Sequence, residues 1–244
     1  MYNYKLIVEY DGLKFNGWQK QNYTENTIQH QIEKAIGILL KSEIKLTGAG
    51  RTDSKVSAYN QIANFYSEVK INKNVFLKSV NSILPDTVTV KKITNASADF
   101  HSRYSAKKRE YLYYIATAKK SISGDHCYRI NYLPDFSKIE SFMEFIKSVK
   151  KFRSLCKNKT DRFEFHCDIY EFKYQYLKSK NEIIFKISAS RFLHSMVRAV
   201  IGCTLDIGRG KSDPVHISKL ILKGEKFRIH YLPGNALFLN KIYY

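Results

Sequence analysis

Apolar residues recur along this chain with two periods, and the order in which the periods follow one another restricts the fold more than any other feature. A period of two, rich in Tyr and β-branched residues, predicts strands at 5–10, 45–47, 61–66, 88–93, 109–118, 170–176 and 183–189. A period of 3.6 predicts helices at 28–40, 75–84, 139–149, 192–208 and 214–224. Strands follow strands without strict β-α-β alternation, which favours an α+β fold with largely antiparallel sheets flanked by helices.

The second half of the chain repeats this mixture of strands and helices, although no residue-level repeat is visible. Residues 119–135 contain Ser, Gly, Asn and Pro and show no clear period, so we take them as a long connection. We therefore expect two mixed α/β subdomains, residues 1–118 and residues 119–244.

Charge indicates the class of partner. The chain has 41 Lys+Arg against 22 Asp+Glu, a formal net charge of +19, which suits a nucleic acid or an anionic membrane surface. The alternative is a solvated, Lys-rich surface. No apolar run approaches the roughly 20 residues of a membrane span, and the charged N-terminal segment does not resemble a signal peptide. We expect a soluble, cytoplasmic protein with no membrane partner.

The cysteines give no sign of a metal or disulfide framework. Their positions are Cys127, Cys156, Cys167 and Cys203, with no C-x-x-C pair. His126-Cys127 and His166-Cys167 could together make a zinc site, but thiols in a reducing cytosol are the preferred interpretation. The cysteine pattern therefore indicates neither a zinc ribbon nor a disulfide framework.

A polar loop at residues 48–57, GAGRTDSKVS, differs from the rest of the chain. Two glycines allow a tight turn or a close approach to a ligand. Arg51, Thr52 and Asp53 then bring a cation, a hydroxyl and a carboxylate together between two strands. The alternative is an ordinary hairpin loop in which Asp53 makes an Asx-turn and Arg51 is solvated. The spacing excludes a phosphate P-loop.

Several segments together resemble the tRNA pseudouridine synthase A family. The matching segments are Tyr10-Asp-Gly12, Phe15-Asn-Gly-Trp-Gln-Lys-Gln21, Thr27-Ile-Gln29, Gly50-Arg-Thr-Asp53, Asn81-Ser-Ile-Leu-Pro85, Phe100-His-Ser-Arg103 with Ala106, Arg109, Tyr111 and Tyr113, and Phe192-Leu-His-Ser-Met-Val-Arg198 with Gly202. The resemblance is dense over residues 4–115 and clear over 190–208.

The resemblance implies an enzyme that isomerises uridine to pseudouridine in tRNA without cofactor or metal. Asp53 is then the catalytic carboxylate beside C1′ of the uridine, as a nucleophile or as a base that removes the 2′ proton. Arg198, from the second half, would keep that carboxylate ionised. Tyr111 would stack on the uracil, and Arg51 would hold the space that the flipped base leaves. The active-site cleft is expected between the two subdomains.

The resemblance also implies a partner and an assembly. The substrate would be the anticodon stem-loop of tRNA at positions 38 to 40, and the enzyme would be a homodimer.

Two departures from the family pattern concern the catalytic loop. The family usually continues Asp-x-Gly-Val-His-Ala, whereas this chain has Lys55 for the glycine and Ser57 for the histidine. If the backbone at residue 55 needs a positive φ, a lysine there costs about 1 kcal/mol. The C-terminal motif, Gly234-Asn-Ala-Leu-Phe-Leu239, is also only a weak match.

Other functions remain open at this point. A non-catalytic RNA-binding protein would have the same charge and aromatic content, and a paralogue could act on a different RNA. A nucleoside hydrolase would release free uracil instead of keeping the base attached.

Overall fold

The computed structural model describes residues 1–157 and 164–244. The elements in chain order are β1 (Tyr2–Tyr10), α1 (Ile28–Leu40), β2 (Thr47–Gly48), β3 (Ser57–Ser67), α2 (Lys73–Ile83), β4 (Val88–Ala96), β5 (Lys108–Ala116), β6 (Tyr128–Arg129), α3 (Phe136–Ser148), β7 (Ile169–Leu177), β8 (Glu182–Ala189), α4 (Met196–Gly208), α5 (Pro214–Lys223) and β9 (Leu237–Tyr243). This mixed content confirms the predicted fold class. Within the described residues, no helix is long and apolar enough to cross a membrane.

Contacts divide the chain into two compact units. Unit 1 comprises Met1–Lys107 with Phe238–Tyr244, and unit 2 comprises Lys108–Leu237. The boundary expected from the sequence, at residues 118 and 119, differs from this division in two ways. The Tyr-rich strand β5 falls in unit 2 because it pairs along its whole length with β8, and β9 returns to unit 1 because it pairs with β3.

Unit 1 is built around β1, whose alternate side chains are buried. β1 pairs antiparallel with β3 on one side and with β4 on the other. The short β2 pairs antiparallel with β3, and β9 pairs parallel with it. Helix α1 buries Ile28, Ile32, Ala35 and Ile36, the stripe that its 3.6-residue period predicts.

Unit 2 has an antiparallel sheet in the order β5, β8, β7, with β6 parallel to β5. Helix α4 is buried on every side, and its only residues that are not buried are Arg198 and Asp206. Helix α3 packs against both α4 and β7. A helix that is apolar all round must lie inside its unit, so the two charged residues of α4 need a specific explanation.

Several helix ends differ from the sequence-based expectation. The sequence predicts Asn26 as the N-cap of α1, with Gln29 bonding back to it, but the N-cap is Thr27, whose hydroxyl accepts the His30 N–H. For α3 the sequence predicts a capping box of Ser137 and Glu140. This prediction is wrong, because the N-cap is Asp135, which accepts from the backbone N–H groups of residues 137 and 138. Helix α4 begins at Met196 because Ser195 has a φ of 58°.

The last helix agrees with expectation, because Asp213 caps its start and Gly224, at φ 70°, ends it.

Candidate active site

The loop between β2 and β3 is fixed by main-chain hydrogen bonds along its length. Ala49 N donates to Ile62 O at 2.8 Å, Trp18 N donates to Thr52 O at 3.1 Å, and Lys55 N donates to Phe15 O at 3.2 Å. Two of these bonds come from the Phe15–Trp18 segment, so that segment supports the loop directly.

Two glycines allow this close approach. A Cβ on Gly17, whose φ is 94°, would lie 2.7 Å from Thr52 O. A Cβ on Gly48 would lie 2.5 Å from Nε1 of Trp18, a side chain that is only 2% exposed. Any side chain at either position would push the loop away from its support. Gly50, by contrast, has open space around it.

Inside the loop, Thr52 points inward. It is 6% exposed, and its Oγ1 lies 2.8 Å from the hydroxyl of Tyr10. Gln61 holds the preceding turn by donating from Nε2 to Gly50 O at 2.9 Å. Because Thr52 is anchored in the core, its neighbours lie nearer to solvent: Arg51 is exposed and Asp53 is partly exposed.

Both departures from the family pattern lie at the end of the loop. Lys55 has a φ of 65°, so the position does adopt the left-handed conformation that favours glycine. Ser57 is 1% exposed and accepts the N–H of Gly12 at 2.9 Å. A Cβ on Gly12 would lie 2.1 Å from Val56 O, so the opening Tyr-Asp-Gly segment packs tightly under the loop.

In unit 2, Tyr111 lies on β5 opposite Ile187. It is 8% exposed, and its ring meets Phe192 edge to face at a centroid distance of 5.2 Å. This geometry is one that aromatic pairs prefer, and it fixes the plane of the Tyr111 ring.

Arg198 lies in the first turn of α4 and is bound to a segment far along the chain. Its Nε donates to Leu232 O, and Leu232 N donates to Arg198 O at 3.4 Å. The neighbouring Pro233 O accepts the hydroxyl of Tyr113 at 2.9 Å. Burial raises the pKa of Tyr113, and the charge of Arg198 opposes part of that rise. Arg198 is therefore held in place at the margin of the core.

The structure thus brings Arg51 and Asp53 together in one loop of unit 1, and it places Tyr111 and Arg198 in unit 2. Sequence reasoning missed the supporting groups, above all Thr52 with Tyr10, and the Leu232 carbonyl beneath Arg198. The one signal for the first was the resemblance of the Tyr10-Asp-Gly12 and Phe15–Trp18 segments. No local signal marks the second, since residues 198 and 232 are far apart in the chain.

Three of the four thiols, Cys156, Cys167 and Cys203, are buried. Burial raises the pKa of Cys167 to about 12 and that of Cys203 to about 12, which keeps both protonated and unreactive at neutral pH. Across the described part of the chain, no three His, Cys, Asp or Glu side chains come together as a metal-binding group.

Comparison with known proteins adds independent findings. A family model described as tRNA pseudouridine synthase matches residues 6–105 and 149–244. The tRNA pseudouridine synthase A 1 of Bacillus cereus is 31% identical over 244 residues, covering 98% of each chain. The tRNA pseudouridine synthase A of Thermodesulfovibrio yellowstonii is 32% identical over 256 residues, and that of Caldicellulosiruptor bescii is 35% identical over 248 residues; both alignments cover 100% of each chain.

Proposed function

This chain belongs to the tRNA pseudouridine synthase family and is an isomerase acting on tRNA; from that premise we propose that it converts uridines of the anticodon stem-loop, at positions 38 to 40, to pseudouridine. The C1′–N1 bond of the uridine breaks, the uracil turns, and C5 bonds to C1′. The proton on C5 is lost and N1 gains one, so the atoms balance without a cofactor.

We assign the reacting carboxylate to Asp53. Either a covalent bond to C1′ or removal of the 2′ proton requires its ionised form beside the ribose. The observation that carries this assignment is the anchoring of the loop on both sides of Asp53. Thr52 is tied to Tyr10 and to Trp18, and Lys55 is tied to Phe15. A carboxylate held in this way reacts without first losing loop entropy.

The other three residues take roles around the same uridine. Arg51 is exposed next to Asp53, and its planar guanidinium can stack or bind phosphate where the flipped base leaves a gap. Tyr111 supplies an aromatic ring whose plane is fixed by Phe192, suited to stacking on uracil. We assign Arg198 as the cation that accompanies the reacting carboxylate, as the family resemblance implies.

The assembly and location form a further part of this proposal. The resemblance implies a homodimer that acts in the cytoplasm. Light scattering of the purified protein is expected to give twice the 28.5 kDa of one chain, and a mass of one chain would contradict the dimer.

The direct test uses tRNA carrying tritium at C5 of its uridines. The wild-type protein should release tritium, and Asp53→Asn should release it at least about a hundredfold more slowly, because the reacting carboxylate is removed. Asp86→Asn is the matched control, since it makes the same chemical change at an exposed position after α2 and should keep wild-type activity.

The outcomes separate the alternatives. Equal release from wild type and Asp53→Asn would overturn the assignment of Asp53. Tight tRNA binding without any release of tritium would indicate a non-catalytic RNA-binding protein. Free uracil among the products would indicate a nucleoside hydrolase. Release from another RNA but not from the anticodon stem-loop would indicate a paralogue with an altered substrate.

A further inference from the structure

A second group of cations surrounds a cavity at the C-terminal end of α4, in unit 2. The cavity has a volume of about 110 Å³, which at ~30 Å³ per water has room for roughly four waters. It is far smaller than the ~300–1,000 Å³ sites of drug-sized ligands. We call it the α4-end pocket. Its charged and aromatic walls include Arg129, Tyr132, Asp206, Arg209, Lys211 and His230.

The α4-end pocket has an excess of positive charge. Lys211 Nζ lies 3.6 Å from Oδ1 of Asp206, the one carboxylate in the pocket lining. Among the described residues, no carboxylate lies within ion-pair distance of Arg129 or Arg209. The guanidinium of Arg209 lies 5.0 Å from the centre of the Tyr132 ring, a cation–π contact that steadies the group and leaves its N–H donors available.

Cationic side chains at a helix C-terminus often do no more than hydrogen-bond to the last carbonyls of the helix. Here backbone N–H groups already donate to those carbonyls. The four acceptors and their donors are Leu205 O from Arg209 N, Ile207 O from Gly210 N, Asp206 O from Lys211 N, and Gly208 O from Asp135 N. The side chains of Arg209 and Lys211 are therefore not needed as caps, and their charge is available to a ligand.

The other wall of the pocket is held close to α4 by a glycine. A Cβ on Gly202 would lie 2.0 Å from His230 O, so the absence of a side chain lets the His230 segment cross the helix in direct contact. The Nδ1 of His230 lies 4.0 Å from Oδ1 of Asp206. Asp206 thus stands between His230 and Lys211 and orients both, which explains why this polar residue lies on an otherwise buried helix.

We propose that the α4-end pocket binds a phosphodiester of the RNA substrate at a nucleotide other than the one isomerised. The size suits a phosphate, the charge suits an anion, and a guanidinium pairs well with phosphate oxygens. Arg209 follows Arg198 by eleven residues of α4, a rise of about 16 Å, so the two arginines contact different parts of the RNA. This inference rests on the proposed function.

The experiment combines RNA affinity with ethylation interference on an anticodon stem-loop RNA. The pocket variant is the double substitution Arg129→Ala with Arg209→Ala, and the matched control is Lys219→Ala, which removes an exposed cation from α5. We expect the pocket variant to raise Kd at least tenfold and to lower the slope of log K against log salt by about 1. One phosphate whose ethylation blocks binding to wild type should stop doing so in the pocket variant.

A further double variant, Arg129→Lys with Arg209→Lys, is the control that distinguishes loss of the phosphate contact from misfolding. It keeps the charge, so it should recover part of the affinity, and thermal unfolding of each variant should match wild type. An interference map that is the same for wild type, pocket variant and Lys219→Ala would overturn the proposal. So would binding of inorganic phosphate to the pocket without any effect of the pocket variant on RNA affinity.

Failure of this proposal is distinguishable from failure of the proposed function. If wild type isomerises the RNA but the pocket variant binds it normally, only the α4-end pocket is wrongly assigned. If wild type does not isomerise tRNA at all, the proposed function itself fails.

Discussion

At the scale of single residues, the candidate catalytic loop combines tight anchoring with one unfavourable backbone conformation. Trp18, Thr52 and Gly48 fix the start of the loop by packing and hydrogen bonds. Lys55 then adopts a φ of 65°, which costs a non-glycine residue roughly 1 kcal/mol or more. The strain lies two residues from Asp53, at the turn closed by Val56 N and Asp53 O at 3.2 Å.

Replacing Lys55 with glycine tests whether that strain serves catalysis. Lys55→Gly should raise the free energy of unfolding by about 0.5 kcal/mol. Glycine relieves the backbone strain, and the greater conformational entropy that it gives the unfolded chain offsets part of that gain. Urea denaturation measures it, and Lys55→Ala, which keeps the strain, should change stability little. Tritium release should change less than tenfold. A hundredfold rise would mean that the lysine impairs the enzyme on the RNA used.

At the scale of elements, α4 carries two charged groups on a buried helix. Arg198 in its first turn is bound to Leu232 O, and Asp206 in its last turn faces the α4-end pocket. Both contacts depend on the chain after α5 crossing close to the helix at Gly202. A single glycine therefore supports both the candidate catalytic cation and the proposed phosphate site.

The substitution Gly202→Ala should destabilise the protein strongly. The added methyl would lie 2.0 Å from the backbone oxygen of His230, so the crossing segment must move, at a cost of about 3 kcal/mol. The midpoint of urea denaturation measures this cost. Gly124→Ala is the control, since its Cβ would meet only Lys120 Cβ at 3.9 Å, and it should shift stability by less than about 1 kcal/mol. If Gly202→Ala and Gly124→Ala destabilised the protein equally, that result would contradict the close contact of the His230 segment with α4 at Gly202.

At the scale of the whole molecule, the net charge of +19 shapes both binding and stability. It supplies the long-range attraction for RNA, so affinity should fall steeply with salt. Stability also depends on the carboxylates, which Lys and Arg outnumber. The pKa is lowered for Asp99 by Ser97, for Asp135 by Ser137, for Asp168 by Lys150, and for Glu171 by Lys173, in each case through a hydrogen bond from the partner side chain.

Stability should therefore fall on the acid side. A carboxyl whose folded pKa lies below its unfolded value stabilises the protein above that value and loses this contribution as pH falls through the folded pKa. The ordinary values are 3.8 for Asp and 4.5 for Glu, so the urea midpoint should decline from about pH 5 downward. Asp135→Asn keeps an N-cap acceptor and should show a shallower decline at nearly unchanged stability at pH 7. An identical pH profile for the two proteins would contradict this role of Asp135.

The sequence by itself determined most of the helices and strands, and its family resemblance indicated the candidate catalytic loop. Apolar periods reflect neighbours along the chain, so they located α1, α2, β1 and β5 within a few residues, and the motif around Asp53 indicated the chemistry. Only the tertiary structure decided that β9 joins β3, that Leu232 holds Arg198, and that Arg129 and His230 meet Arg209 at the end of α4. Each of these depends on which groups meet in space: Phe238 lies opposite Ser57 across the sheet, and no local pattern encodes a hydrogen bond between residues that far apart.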